Sequence, residues 1–337
     1  MRLLRITRSI MSWGDARWKR SRSKTPQGRS ERSWDMGKMP GSRRVQIARL
    51  LAALALLSSS SGSAQVPQIP DFSGLWSRAT FGFEPPVSGV GPIRNLMRRP
   101  DGTEDRNRTV GDFHNPILKP AAAAIVQRDG DIARSGADYP TPNNQCRPMA
   151  SPYILRVQGM EMLQQQDQVT IIYAQDHQFR TVRLNQPHPA RIIPSWHGDS
   201  IGHYENDTLV VDTIGVKVGP VAMLDTYGTP FSAALHVVER YRLVDYQEAI
   251  RAVERGLKEY GSPVTEQAVT IDRSYRGKGL QVQFTVDDRN LLTAPWSASA
   301  TYLRSRDGWV ENVCAENIHE YYAARDVAVP QSARPDF

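Results

Sequence analysis

The 337-residue chain carries 42 Lys and Arg against 35 Asp and Glu, a formal charge of +7, and has only two cysteines. The excess is confined to one end: residues 1–64 hold 14 basic and 3 acidic side chains, leaving 28 basic and 32 acidic in the remainder, near −4. A basic balance that belongs to a leader gives no ground for a nucleic-acid partner.

Met1–Arg49 is rich in Arg, Lys and Ser and lacks hydrophobic periodicity. The apolar run Leu50–Leu57 follows, then Ser58–Ser61 and Gly62-Ser63-Ala64. A basic flank, a short apolar core and small residues at −3 and −1 read as a cleavable export signal, with cleavage expected after Ala64. The run is too short to span a bilayer, so no stable membrane anchor is expected and the protein is placed in the periplasm or outside the cell. Met36 and Met39 stand just ahead of Arg43-Arg44. A signal that starts at either has ordinary length, so the true start is expected there.

Residues 65–152 read as an extended region with one helix. Phe72-Ser73-Gly74-Leu75-Trp76 holds a Gly-x-Trp of the kind that opens small secreted barrels, where the indole closes one end. Phe81–Asn115 is a Gly, Pro, Arg and Asp-rich loop. Pro120–Ala133 is predicted as a helix, with Pro120 in its first turn. Cys146 lies in a Pro-rich stretch and Cys314 near the end, and in an oxidising compartment they are expected to form one disulfide.

From Tyr153 the hydrophobic period becomes two, defining a β core over 153–322 and a disordered tail over 323–337. Tyr153–Gln158, Met160–Gln165, Val169–Ala174, Phe179–Leu184, His236–Val244, Gln267–Tyr275, Leu280–Val286 and Trp296–Arg304 read as strands. Between them, Pro194–Thr213 forms a hairpin around a two-residue turn at Asn206-Asp207. That turn pairs Glu205 with Thr208, Tyr204 with Leu209, His203 with Val210 and Gly202 with Val211. Ser200, Tyr204, Leu209, Val211 and Thr213 then share one face, and Ile201, His203, Glu205, Val210 and Asp212 the other. Asp245-Tyr246-Gln247-Glu248 matches a capping box, and a helix is predicted over 246–260. The fold class is mainly β, an antiparallel barrel of roughly eight to ten strands with one or two peripheral helices.

Several blocks resemble a widespread family of uncharacterised exported bacterial proteins: Cys146-Arg147-Pro148, the strand pair around Val169–Tyr173, Gly198–Gly202, Asp207–Thr213, Leu235–Tyr241, Pro295-Trp296 and Cys314–Asn317. They cover most of Asp71–Asn317. The resemblance implies export but no established activity. This chain departs from the family at Tyr204-Glu205-Asn206, where Trp-Glu-Gly is usual, at Asp199, where His is usual, and at Arg289, where Pro is usual. Tyr246–Gly277 looks like an insertion. The Gly-x-Trp and the strand count are in turn similar to lipocalins.

The polar residues suggest two kinds of chemistry. His203, Glu205 and Asp212 share a face, and His236 and Glu239 lie on a later strand, so these five are the catalytic candidates, with Ser200 as a possible nucleophile beside His203 or His236. His236 and Glu239 point to opposite sides, as do Arg180 and Arg183, because a separation of three on a strand reverses the face. No His-x-His or Cys-x-x-Cys spacing occurs, and neither a metal nor another cofactor is predicted. A barrel with a mixed lining encloses a small apolar or amphipathic molecule more simply. Arg180, His197, Ser200, Tyr204 and Trp296 are the ligand-binding candidates, with Tyr153, Tyr173, Phe284 and Tyr302 as further aromatic wall. The expected partner is therefore a small-molecule ligand, and a cofactor-independent hydrolase, lyase or isomerase in the same cavity is the alternative. Oligomeric state is not encoded in any motif.

Overall fold

The computed structural model describes residues 69–86, 88–157, 159–260, 271–306, 308 and 311–314. The leader, its cleavage site, both candidate starts and the tail lie outside the described residues.

Nine strands close into one barrel in chain order. They are β1 (Gly74–Ser77), β2 (Gly159–Gln164), β3 (Gln168–Tyr173), β4 (Phe179–Leu184), β5 (Asp199–Glu205), β6 (Thr208–Ile214), β7 (His236–Val244), β8 (Gly279–Asp287) and β9 (Trp296–Arg304). Helix α1 (Pro120–Arg134) precedes β2, and helix α2 (Tyr246–Tyr260) joins β7 to β8. The mainly β barrel with two helices agrees with the sequence pattern. The short β1 closes the ring, pairing Trp76 with Arg304 on β9 and Trp76 with Met160 on β2.

Neighbouring strands run antiparallel except β4 and β5, which are parallel, with Val182 opposite Ser200 and Leu184 opposite Gly202. The pattern of alternation does not reveal this. Segment 185–198 contains Pro187, Pro189 and Pro194, which offer no N–H to a ladder, so it cannot return as a hairpin strand and instead crosses back outside the sheet. Within the β5–β6 hairpin the register is the expected one, including Glu205 with Thr208 and His203 with Val210. Asn206 takes a positive φ of 56° to make the turn.

Two predicted strands are corrected. Tyr153–Arg156 is a 3-10 turn rather than a strand. Its hydrogen bonds go elsewhere: Ile154 N–H donates to Ala150 O, and Leu155 O accepts from Arg78 Nη1 at 3.0 Å and Tyr302 OH at 2.7 Å. Of Gln267–Tyr275, residues 267–270 lie outside the described region. Ile271 makes one bridge to Ser305, and Asp272 then starts a turn that accepts from Ser274.

The core is the barrel interior continued beneath the loops. Alternate residues point in along each strand, as in Val169, Ile171 and Tyr173 or Val282, Phe284 and Val286, all buried. One end is covered by the N-terminal segment, where Trp76 Nε1 donates to Phe72 O and Gln164 Nε2 bonds both Pro70 O and Tyr204 OH. The other end, where β3 finishes and β5 begins, is covered by the buried 3-10 turn. Helix α2 lies outside, with Ala249 against Val244 and Leu303. Gly279 permits this approach, since a Cβ there would stand 2.6 Å from that of Ala249. Cys146 and Cys314 form the expected disulfide, with 5.4 Å between their Cα atoms. Cys314 N–H donates to Asp176 Oδ1, tying that terminus to the β3–β4 turn. Among the described residues no helix is long and apolar enough to cross a membrane.

Candidate functional site

The inward positions of β3 to β7 are not uniformly apolar. Arg180 on β4 projects into the barrel, where its Nη1 donates to Glu239 Oε1 at 2.9 Å and its Nη2 to Glu239 Oε2 at 2.5 Å. Two further donors are taken as well: Nε bonds Ser200 Oγ at 2.9 Å and Nη2 also bonds Thr213 Oγ1 at 2.6 Å. Strand parity produces this meeting, because Arg180, Ser200, Thr213 and Glu239 all fall on inward positions of adjoining strands. Burial opposes the charge on Arg180, but the Glu239 carboxylate more than offsets it and holds the guanidinium protonated. The result is a buried ion pair with no net charge.

Around it stand further buried polar atoms. The hydroxyls of Tyr173 and Tyr241 and the Nε2 of His197 are buried and meet no partner at full hydrogen-bond geometry, with the Tyr173 hydroxyl set near Arg180 and the Tyr241 hydroxyl. Arg180 and Tyr241 lie beside the Tyr173 hydroxyl, and burial pushes that phenol up to about 12. Tyr241 is raised for the same reason. His197 stacks on Tyr173 with 5.5 Å between ring centroids, and its Nδ1 is 3.4 Å from Ser151 Oγ. Burial first, and the nearby Arg180 charge second, lower His197 to about 3. Near neutrality the site therefore offers two phenol donors and an uncharged imidazole. Phe284 and Trp296 make a further edge contact, with 5.9 Å between their ring centroids.

The structure thus brings Arg180, Ser200, His197 and Glu239 together and separates the other candidates. Tyr204 bonds Gln164 at the opposite end of the barrel. Trp296 is buried among aromatic rings. His203, Glu205, Asp212 and His236 are on the outer wall: His203 Nε2 meets Glu205 Oε1 at 3.0 Å, and His236 Nε2 meets Asp212 Oδ2 at 2.8 Å. A Ser200 nucleophile with either His203 or His236 as base is therefore excluded, since the sheet stands between them. Among the described residues no group of three His, Cys, Asp or Glu side chains converges as a metal ion requires.

Sequence reasoning passed over Tyr241, Ser151 and His188. Tyr241 was legible, being two residues from Glu239 and so on the same face. Ser151 and His188 sit outside the strands, where no periodicity marks direction. Comparisons with protein-family models, curated proteins and solved structures find no match to this chain.

Proposed function

We propose that this is an exported protein, akin to the bacterial family its Gly198–Gly202 and Asp207–Thr213 blocks resemble, whose barrel binds a small and mainly apolar molecule through one uncharged polar group. The disulfide and the lack of a membrane-crossing helix among the described residues support export. The observation that carries the ligand reading is the set of orphaned polar atoms, Tyr173 OH, Tyr241 OH and His197 Nε2, inside an aromatic lining. Buried polar groups are nearly always paired, and three neighbours that fall short of full hydrogen-bond geometry within one aromatic lining suit a group that comes from elsewhere. A carbonyl or hydroxyl suits them. An anion would meet Glu239, and a cation would meet Arg180, each already neutralised by the other.

A catalytic reading has less support. His197, the interior histidine among the described residues, touches Ser151, but at a value near 3 it is a poor base, held there by burial and by the Arg180 charge. Native mass spectrometry of the purified full chain, with metal analysis of the same sample, tests the proposal. It is paired with titration of N-phenyl-1-naphthylamine, a neutral apolar fluorophore with one N–H. A bound organic adduct or saturable one-to-one fluorophore binding is expected. Neither adduct nor saturable binding, or stoichiometric metal in place of an adduct, would overturn it.

A further inference from the structure

The outer wall carries a cluster that the interior site does not use. His188 lies in segment 185–198, flanked by Pro187 and Pro189. Its Nδ1 stands 2.6 Å from Asp199 Oδ1 on β5, and its Nε2 stands 3.0 Å from Asp212 Oδ1 on β6. Both ring nitrogens face a carboxylate. Two charged or titratable groups stand behind these: Arg183 from β4 bonds both oxygens of Asp199 at 2.8 and 3.0 Å, and His236 from β7 bonds the second oxygen of Asp212.

Segment 185–198 also builds the interior site, since His197 lies nine residues after His188. It is bracketed by two left-handed residues, Asn185 at φ 55° and Gly198 at φ 66°. Three prolines stiffen the stretch between them. Its later part is held to the fold separately, since Ser195 N–H donates to Gly215 O, Lys217 N–H donates to Ser195 O and Ser151 N–H donates to Trp196 O. We propose that His188 is a protonation-dependent latch: its imidazolium clamps residues 186–193 to β5 and β6, and its deprotonation releases that stretch.

The geometry sets the direction. Only the imidazolium has two N–H donors, so only it can bond both carboxylates; the neutral ring must turn a lone pair toward one of them. Burial lowers the affinity of His188 for its proton, but the bonds from Asp199 and then Asp212 outweigh this and raise it above the ordinary histidine value. The latch is therefore complete on the acid side of that ordinary value and is lost as pH rises through the raised one.

Limited trypsin cleavage of the full chain between pH 7 and 9 tests this, because Arg191 lies exposed within the stretch. The rate of cutting after Arg191, normalised to a small amide substrate at each pH, is expected to rise about ten-fold across the range, as befits loss of a charged hydrogen bond. His188→Gln is expected to be cut at the faster rate at every pH. A normalised rate that does not change with pH, or a pH dependence that survives in His188→Gln, would overturn the latch.

Discussion

Arg180 and Glu239 face each other across the barrel interior as a two-bond ion pair with side chains 1% and 0% exposed. They come from β4 and β7, three apart in the chain order of the ring, so the pair braces one wall against another. Removing one partner leaves an unpaired buried charge, whereas removing both does not. Glu239→Gln is expected to cost about 3–5 kcal/mol in urea unfolding, and the double variant Arg180→Met/Glu239→Leu to recover most of that loss. A single variant that costs under about 1 kcal/mol would show that the pair is hydrated rather than buried.

Much of this arrangement was readable before any coordinates. The turn at Asn206-Asp207 fixes a register, the register fixes faces, and the faces set Ser200 and Thr213 on one side with His203, Glu205 and Asp212 on the other. What parity alone left open was which face is interior, because both carry apolar and polar residues. The interior reveals itself only through partners on other strands: Val211 lies opposite Glu239, and Ile171 opposite Arg180. The parallel pairing of β4 and β5 was hidden for a similar reason. It depends on the path of a proline-rich segment whose side chains follow no period.

Half-buried His197, whose Nε2 is shielded from solvent, makes the fold sensitive to acid. Unfolded, His197 titrates near its ordinary 6.5, while in the barrel it is held down to about 3. Between these values the unfolded chain binds a proton that the folded chain does not, so stability falls as pH drops through that window. The slope approaches about 1.4 kcal/mol per pH unit. Urea midpoints measured from pH 6.5 to 4.5, above the range of most carboxylates, should decline in the wild type. His197→Asn should flatten the decline, and an unchanged slope in that variant would move the effect to another group.

The disulfide joins residues separated by 168 positions, so it restrains a long stretch of the unfolded chain. The chain-entropy account assigns such a link roughly 4–5 kcal/mol, and measured values are commonly smaller. Cys146→Ser with Cys314→Ser is expected to lower the urea midpoint while leaving the barrel intact by far-ultraviolet circular dichroism. Collapse of the β signal itself would mean that the link is required for folding and not only for stability.

The two orphaned phenols separate a binding site from a packed core. Tyr241 and Tyr173 are fully buried, and neither hydroxyl reaches full hydrogen-bond geometry with a partner. A buried donor without a partner costs about 1–3 kcal/mol, so Tyr241→Phe, which keeps the ring and removes only the hydroxyl, is expected to hold or raise the stability of the ligand-free protein. The same change removes a donor from the proposed ligand, so fluorophore affinity should fall by about ten-fold, with Tyr173→Phe acting alike. Stability and binding then move in opposite directions, which a purely structural tyrosine does not allow. If Tyr241→Phe instead destabilises the protein and leaves affinity unchanged, the hydroxyl serves the barrel and the ligand contact lies elsewhere.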